Sequence, residues 1–502
     1  MNKLVKNFLA AALTLSAAHL YAHTNKTYLA SRPAGINCAL ESVTFNEIIK
    51  NGCNDKEAWG GSLEATLFYS KSNNPTGLGS YFGINHTNQF TTQSYNTYNG
   101  STYVPGTSAN AADFDATQLL NTNTIASLNT IQLSPSQQVY GIRFDYHQDL
   151  HNIVNGAYVR VKLPVVNVQS SLGLTVNGAN ANTITSALNG TLPENPVSSA
   201  NAYVPLTNAL ISSPQNKTGI ADIDLLLGYT FLDQGYCTAS INLGLILPTG
   251  NVPTEVYAFE PVTGNGGHVA LGAGYELSAR IWGNKQENIN FNSTLDYRYA
   301  FKGSEMRTLG ITGYNWGQYT YTVPANNPLT FVQASAAANM ATLIVDITPG
   351  SMLDTLAGFS YNNNGISIDI GYNLFYKEAG SAIINDHWIS VSSAPDDTFK
   401  GESQLLLPLI TIVNSEPTAV PINTTSSAVP TTSQMENFPI TLFNTNSVLA
   451  QSTSHKIYGQ CGYIFKNTEY PLMLSAGGHY EFAANNAAIA TWGLNIKTGI
   501  SF

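Results

Sequence analysis

Between residues 288 and 302 hydrophobicity changes at every second position. Ile289, Phe291, Leu295, Tyr297, Tyr299 and Phe301 share one parity, and Asn290, Asn292, Thr294, Asp296, Arg298 and Lys302 share the other. A period of two is the signature of an extended strand, whose side chains point alternately to opposite faces, and a 3.6-residue helix cannot produce it. The run is also longer than a globular strand, which averages about five or six residues, and matches what a tilted strand needs to cross a bilayer. The segment 490–502 repeats the pattern: Ala490, Trp492, Leu494, Ile496, Ile500 and Phe502 alternate with polar residues or Gly. Strands with one unbroken apolar side, set in hydrocarbon, cannot leave hydrogen-bonding edges open, so a sheet made of them must close on itself.

Further runs of this kind lie at residues 61–70, 139–148, 157–168, 221–232, 236–247, 267–282, 353–361, 365–376, 455–466 and 471–483, which makes about twelve. The connections alternate in length. Residues 149–156, 233–235, 283–287, 362–364 and 467–470 are short and rich in Asp, Asn, Gly or Lys, as tight turns require. Between them stand 71–138, 169–220, 248–266, 303–352, 377–454 and the brief 484–489. The predicted fold is therefore all-β: a transmembrane up-and-down antiparallel β-barrel with long extracellular loops, short periplasmic turns and both ends of the barrel on the periplasmic side. Fourteen strands stay open as an alternative, because 313–323 (Tyr314, Trp316, Tyr319, Tyr321) also alternates and 440–443 could pair. We prefer loop hairpins, with an Ala-rich helix inside 326–345. Aromatic residues at strand ends (Tyr140, Tyr146, Tyr229, Phe231, Tyr299, Phe301, Tyr376, Tyr463, Phe465, Tyr480, Phe482) are placed for two membrane-interface girdles.

Ahead of the first strand, residues 1–22 have the form of a secretory signal: Lys3 and Lys6, an apolar stretch, then Ala22. Residues 23–60 are expected to form a periplasmic N-terminal segment and 61–502 the barrel, which places the chain in the cell outer membrane. Only 10% of the 502 residues are charged, and mean hydropathy is -0.05. No stretch reaches the roughly 18 apolar residues of a spanning helix. The net charge of -10, without a basic cluster, argues against nucleic acid as a partner. Of the four cysteines, Cys38 and Cys53 are close enough in sequence for a local disulfide, which stays open, while Cys237 and Cys461 read as small residues within strands. The expected partners are outer-membrane lipid, the barrel-assembly machinery and small solutes. No feature marks an oligomer contact.

Charges on the polar parity are candidates for the lumen wall. Arg143, Asp145 and His147 lie on one strand, with Arg160 and Lys162 on the next. Glu276 and Arg280 precede Asp296 and Arg298 across the following hairpin. Such groups either set ion preference by their local potential or brace the interior as neutral pairs. The chain lacks a GxSxG elbow, an HExxH pair and a phosphate-binding GxxxxGK[ST] loop. We therefore expect no enzyme, no catalytic residues, no cofactor and no metal.

The terminal strand from Trp492 to Phe502, ending on Phe, resembles the C-terminal signal by which the outer-membrane assembly machinery recognises unfolded barrels. A second likeness is local. The run Leu243-Gly244-Leu245-Ile246-Leu247-Pro248-Thr249-Gly250-Asn251, followed by Pro261-Val262-Thr263-Gly264-Asn265-Gly266-Gly267-His268, is similar to barrels that transport aromatic hydrocarbons or belong to phenol meta-pathways. It covers about 40 residues and brings no ligand-contact motif. The same Pro and Gly residues also read as a rim turn with bulges that curve the sheet. The functional expectation is a passive, porin-like channel for small solutes with a loop-constricted lumen. The alternative is a barrel-anchored surface protein for adhesion or recognition.

Overall fold

The computed structural model describes residues 26–30, 32–33, 37–40, 59–93, 113–115, 128–192, 203–312, 316–319, 321–324, 334–384, 403–405, 409–413, 416–420, 436–437, 443–465 and 470–502. The segment 1–22 lies outside them.

Twelve long strands form a ring: β1 (Gly61–Ser72), β2 (Ser136–Asp149), β3 (Ala157–Ser171), β4 (Ile223–Asp233), β5 (Cys237–Leu247), β6 (Ala270–Gly283), β7 (Glu287–Ala300), β8 (Met352–Asn363), β9 (Ile366–Lys377), β10 (Ser452–Phe465), β11 (Leu472–Ala483) and β12 (Thr491–Ser501). Each is antiparallel to its neighbour in sequence. The ring closes where β1 pairs with β12, from Ser62 opposite Ser501 to Ser72 opposite Thr491. Gly61 and Phe502 lock that seam by exchanging backbone hydrogen bonds of 2.7 and 2.9 Å. A thirteenth sheet member, Gln215–Ile220, continues β4 upward along β3 after a bulge at Ala221 and Asp222, opposite Pro164. Proline has no N–H to give, so the ladder tolerates it where pairing is already interrupted. Among the described residues the wall has twelve strands, and residues 316–319, 321–323 and 443 of the two runs considered for further strands lie outside it.

Alternation decides which way each side chain points. Along β3, buried and half-buried residues alternate from Ala157 to Ser171. Outward residues such as Leu243 and Ile370 are 68% and 61% exposed, a cost no water-soluble wall could sustain and the normal state of a wall in lipid. Exposed aromatics gather in two belts. Tyr299, Phe301, Tyr480 and Phe482 lie toward the extracellular ends, and Tyr229, Phe231, Tyr463 and Phe465 toward the periplasmic ends. At the periplasmic turn between β8 and β9, Asn364 and Gly365 have φ of 48° and 94°, the Asn-Gly two-residue hairpin that matches strand twist.

Described parts of the extracellular connections pack on one another. Two helices, α1 (Pro75–Phe82) and α2 (Ala181–Leu188), pack with the strand Asn129–Leu133 and with Phe90, Trp316 and Tyr319 around a shared apolar core. Trp316 is 1% exposed; its ring lies 4.5 Å from that of Phe90, and its indole Nε1 donates to the Phe82 carbonyl at 2.8 Å. Gly303–Thr308, Thr342–Thr348 and Ser381–Ile384 form a three-stranded sheet beyond the wall. The helix expected inside 326–345 is short. Among the described residues of that range only Ala338–Ala341 is helical, and from Thr342 the β-branched Thr342, Ile344, Val345 and Ile347 favour the strand.

Candidate functional site

The inner wall is polar, and several of its charges are paired in place. Arg143 Nε donates to Asp145 at 2.8 Å, and Lys497 lies 3.2 Å from Glu64. Arg160 on β3 reaches Glu276 on β6 through two bonds of 2.6 and 3.2 Å. Arg298 on β7 reaches Asp224 on β4 at 2.7 and 3.2 Å, and Asp296 at 2.7 Å. Arg160–Glu276 and Arg298–Asp224 are chords across the curve of the wall. The register puts Gly244 and Gly272 in the inward row between Leu226 and Arg298, where neither position carries a side chain of its own. A buried ion pair must offset the desolvation of both charges, and bidentate geometry is how arginine does it.

Of the predicted lumen residues, Arg143, Asp145, His147, Arg160, Lys162 and Arg298 are buried inside the ring, and Glu276 and Asp296 join them through ion pairs. Arg280 differs. A register shift after it brings it near the periplasmic turn, where it donates to the Gly235 carbonyl at 2.6 Å on the exposed rim. Asp145 lies opposite Lys162, and His147 opposite Arg160, as hairpin pairing requires. The ion pairs follow other routes, and the His147 ring packs 5.0 Å from Tyr158. Trp492 and Phe502 face outward at 38% and 43% exposure. Cys237 and Cys461 are free thiols. Cys53 lies outside the described residues, and with it the proposed Cys38–Cys53 bridge.

Sequence reasoning missed the segment that enters the ring. Its described residues between 26 and 40, which we call the strap, do not extend away from the barrel as a periplasmic segment. They run down its inside. At the top, the Thr27 N–H donates to the Ser447 carbonyl at 3.0 Å, and Lys26 Nζ donates to the Leu449 carbonyl at 3.0 Å. Tyr81 Oη on α1 donates to the Tyr28 carbonyl at 2.6 Å. Further down, Arg32 pairs with Asp354 on β8, lies 3.6 Å from Glu481 on β11, and sits 4.7 Å over the Phe375 ring. Lower still, Lys456 on β10 donates to Asn37 Oδ1 at 3.3 Å, and Ala39 packs on Leu356 and Tyr458. A cavity of about 90 Å³ remains between the strap and the wall.

Around the top anchor is a buried charged cluster. The Arg307 guanidinium lies 3.6 Å over the Tyr28 ring, pairs with Glu305 and stands 3.5 Å from Glu255. Glu305 also contacts His268, whose other ring nitrogen is 2.8 Å from the Phe301 carbonyl. Burial pushes the Glu255 carboxyl up to about 8, against the pull of Arg307.

The Pro-Thr-Gly-Asn and Val-Thr-Gly-Asn turns noted in the sequence fold against each other at this rim. Asn251 and Thr263 exchange backbone-to-side-chain bonds of 2.8 and 3.2 Å. Gly250 and Gly264 sit so close that a Cβ on Gly250 would meet Gly264 Cα at 2.6 Å, and a Cβ on Gly264 would meet Asp222 Oδ1 at 2.3 Å. Here the rim-turn reading of those residues describes what they build.

A closed ring of long alternating strands, apolar outside and ion-paired within, defines a transmembrane β-barrel of the outer-membrane type. No family model matches the sequence, and no curated protein matches it. Among solved structures, the chain is similar to an outer membrane channel from Pseudomonas putida F1, with 9% identity, coverage of 89% of this chain and 96% of that one, and a TM-score of 0.36. It is also similar to a FadL homologue of Pseudomonas aeruginosa (9% identity, 96% and 98% covered, TM-score 0.30). A third is the CymD monoaromatic hydrocarbon channel (10% identity, 95% and 97% covered, TM-score 0.26). At these scores the likenesses carry no argument, and the fold rests on the closed register of the chain itself.

Proposed function

We propose that the protein is a passive outer-membrane channel for small solutes, held closed in this state by the strap and the folded extracellular loops. The observation that carries the reading is a segment anchored by side chains inside a polar, twelve-stranded ring, with open volume left beside it. Twelve strands give a bore between filled eight-stranded barrels and open porins of 16 to 18 strands. An anchor would have no need of a polar interior with a separately held insert. The loops also turn their apolar residues inward onto Trp316, which supports a cap better than a recognition surface.

Planar-bilayer recording tests this. The refolded chain lacking residues 23–40 is expected to conduct in discrete steps, more often or more strongly than the full chain. If neither protein conducts over many insertions, each with the heat-dependent gel shift of a folded barrel, the channel reading fails.

A further inference from the structure

Glu255 occupies a place that works against its charge. The residue is 1% exposed, and neither carboxyl oxygen has a hydrogen-bond partner among the described residues. One guanidinium serves two carboxylates: Arg307 pairs with Glu305 and stays 3.5 Å from Glu255. Glu260 adds a third carboxylate, held by the N–H groups of Thr254 and Glu255 at 2.7 and 2.8 Å. His268 contacts Glu305 rather than Glu255, and Lys377 acts on Glu305 and Arg307 through space. Tyr28 and Tyr319 add hydroxyls that burial keeps protonated. A buried carboxyl among acidic neighbours, with one shared cation, holds on to its proton. Burial, helped by Glu260 and Glu305, outweighs the pull of Arg307 and the Thr308 N–H.

The backbone at Glu255 is strained as well. Its φ is 57°, in the left-handed region that a residue with a Cβ occupies at a cost. Ala209 at 53° and Trp316 at 56° share that conformation, and the three are linked. The Ala209 N–H donates to the Glu255 carbonyl at 2.9 Å, and Tyr319 Oη donates to the Ala209 carbonyl at 2.9 Å. The Tyr319 ring lies 5.0 Å from that of Trp316. Such strain persists only where surrounding contacts impose it. Here they run from the loop core at Trp316 to Glu255, and on through Arg307 to the Tyr28 ring of the strap. A charge placed on Glu255 acts on both.

We propose that Glu255 is a proton-held latch between the strap and the extracellular loops: protonated, it keeps both seated, and loss of its proton to water releases them as pH rises. The latch regulates the proposed channel and rests on that reading only for its effect on conductance. In the released state the carboxyl is hydrated and returns to its ordinary value of 4.5, against about 8 when seated. Release is therefore coupled to one proton. Between those two values the released-to-seated ratio grows about tenfold per pH unit, and outside them it is level.

Limited proteolysis of the full chain in detergent, run beside Glu255→Gln at each pH, tests the latch without requiring conductance. Gln keeps the shape and neutrality of the protonated acid, and a ratio of the two rates cancels the protease's own pH dependence. From pH 5.5 to 7.5, cleavage of the strap and loops in the natural chain should rise about a hundredfold relative to Glu255→Gln. A level ratio means that another group, such as His268, carries any slope, and overturns the proposal. Should Glu255→Gln fail to give the folded gel band, the natural chain decides alone, its rate normalised to an unfolded peptide substrate, and no rise overturns the latch. A hundredfold rise in a chain that never conducts would leave the latch standing and remove the channel. Conduction with a level ratio, at an open probability that ignores pH, would do the reverse.

Discussion

Replacing Arg32 by alanine should unlatch the strap. The side chain is 14% exposed and its partner Asp354 3%, so the pair is largely withdrawn from water. Truncating one member of a buried pair costs about 3–5 kcal/mol, chiefly through the charge left behind. Here the lower end applies, because the abandoned carboxylates keep other donors: Asn373 for Asp354, and Lys456, Ser454 and Thr491 for Glu481. Loss of the contact over Phe375 adds about 0.5–1 kcal/mol. A total of about 3.5–4 kcal/mol shifts the seated-to-unseated ratio of the strap by several hundredfold, on the order of 300 to 900. Single-channel recording reads that directly as open probability. Arg32→Ala should open far more often than the natural chain at the same step size as the strap-deleted protein. Unchanged open probability, in a variant with normal heat-dependent mobility, would refute the idea that Arg32 holds the insert.

Three other perturbations follow from the packing. Trp316→Ala removes the hub of the loop core and should cost about 3–5 kcal/mol of cap stability, read as faster proteolysis of the extracellular loops while the barrel band persists. The Glu255 carboxyl is raised from 4.5 to about 8, so the folded cap binds this proton more tightly than the unfolded loop does. Its contribution is full below pH 4.5 and is lost as pH rises through 8; a cap-unfolding midpoint that does not fall across that window, or that falls equally in Glu255→Gln, contradicts the assignment. Gly264→Ala drives a methyl onto Asp222 and should lower the midpoint of heat-induced unfolding by an overpacking cost of about 1–3 kcal/mol, where Gly219→Ala, with only Thr263 at 3.9 Å, leaves it unchanged.

The wall was legible because it obeys a local rule. A period of two survives in residues 288–302 whatever else the chain does, and Asn364-Gly365 announces its own turn. Lys497 and Glu64 carried the same signal, standing on the inward parity of recognised strands, although nothing in the sequence marked them as partners. The strap was not legible. Arg32 meets Asp354 across 322 positions, and no pattern within residues 26–40 records a contact that exists only once the ring has formed. The helix expected inside 326–345 stops at Ala341 for a related reason. Alanine content favoured it, but Val345 and Ile347 had a sheet to join.

The seam between Gly61 and Phe502 bears on assembly. A hoop fastened along its whole height cannot admit a thread from the side. Once β1 and β12 are zipped, residues 26–40 could reach their seat only by passing lengthwise through the hoop. Laid down before fastening, the same residues serve as a mandrel around which the staves are drawn, and Arg32 then bridges β8 and β11 before the last stave is set.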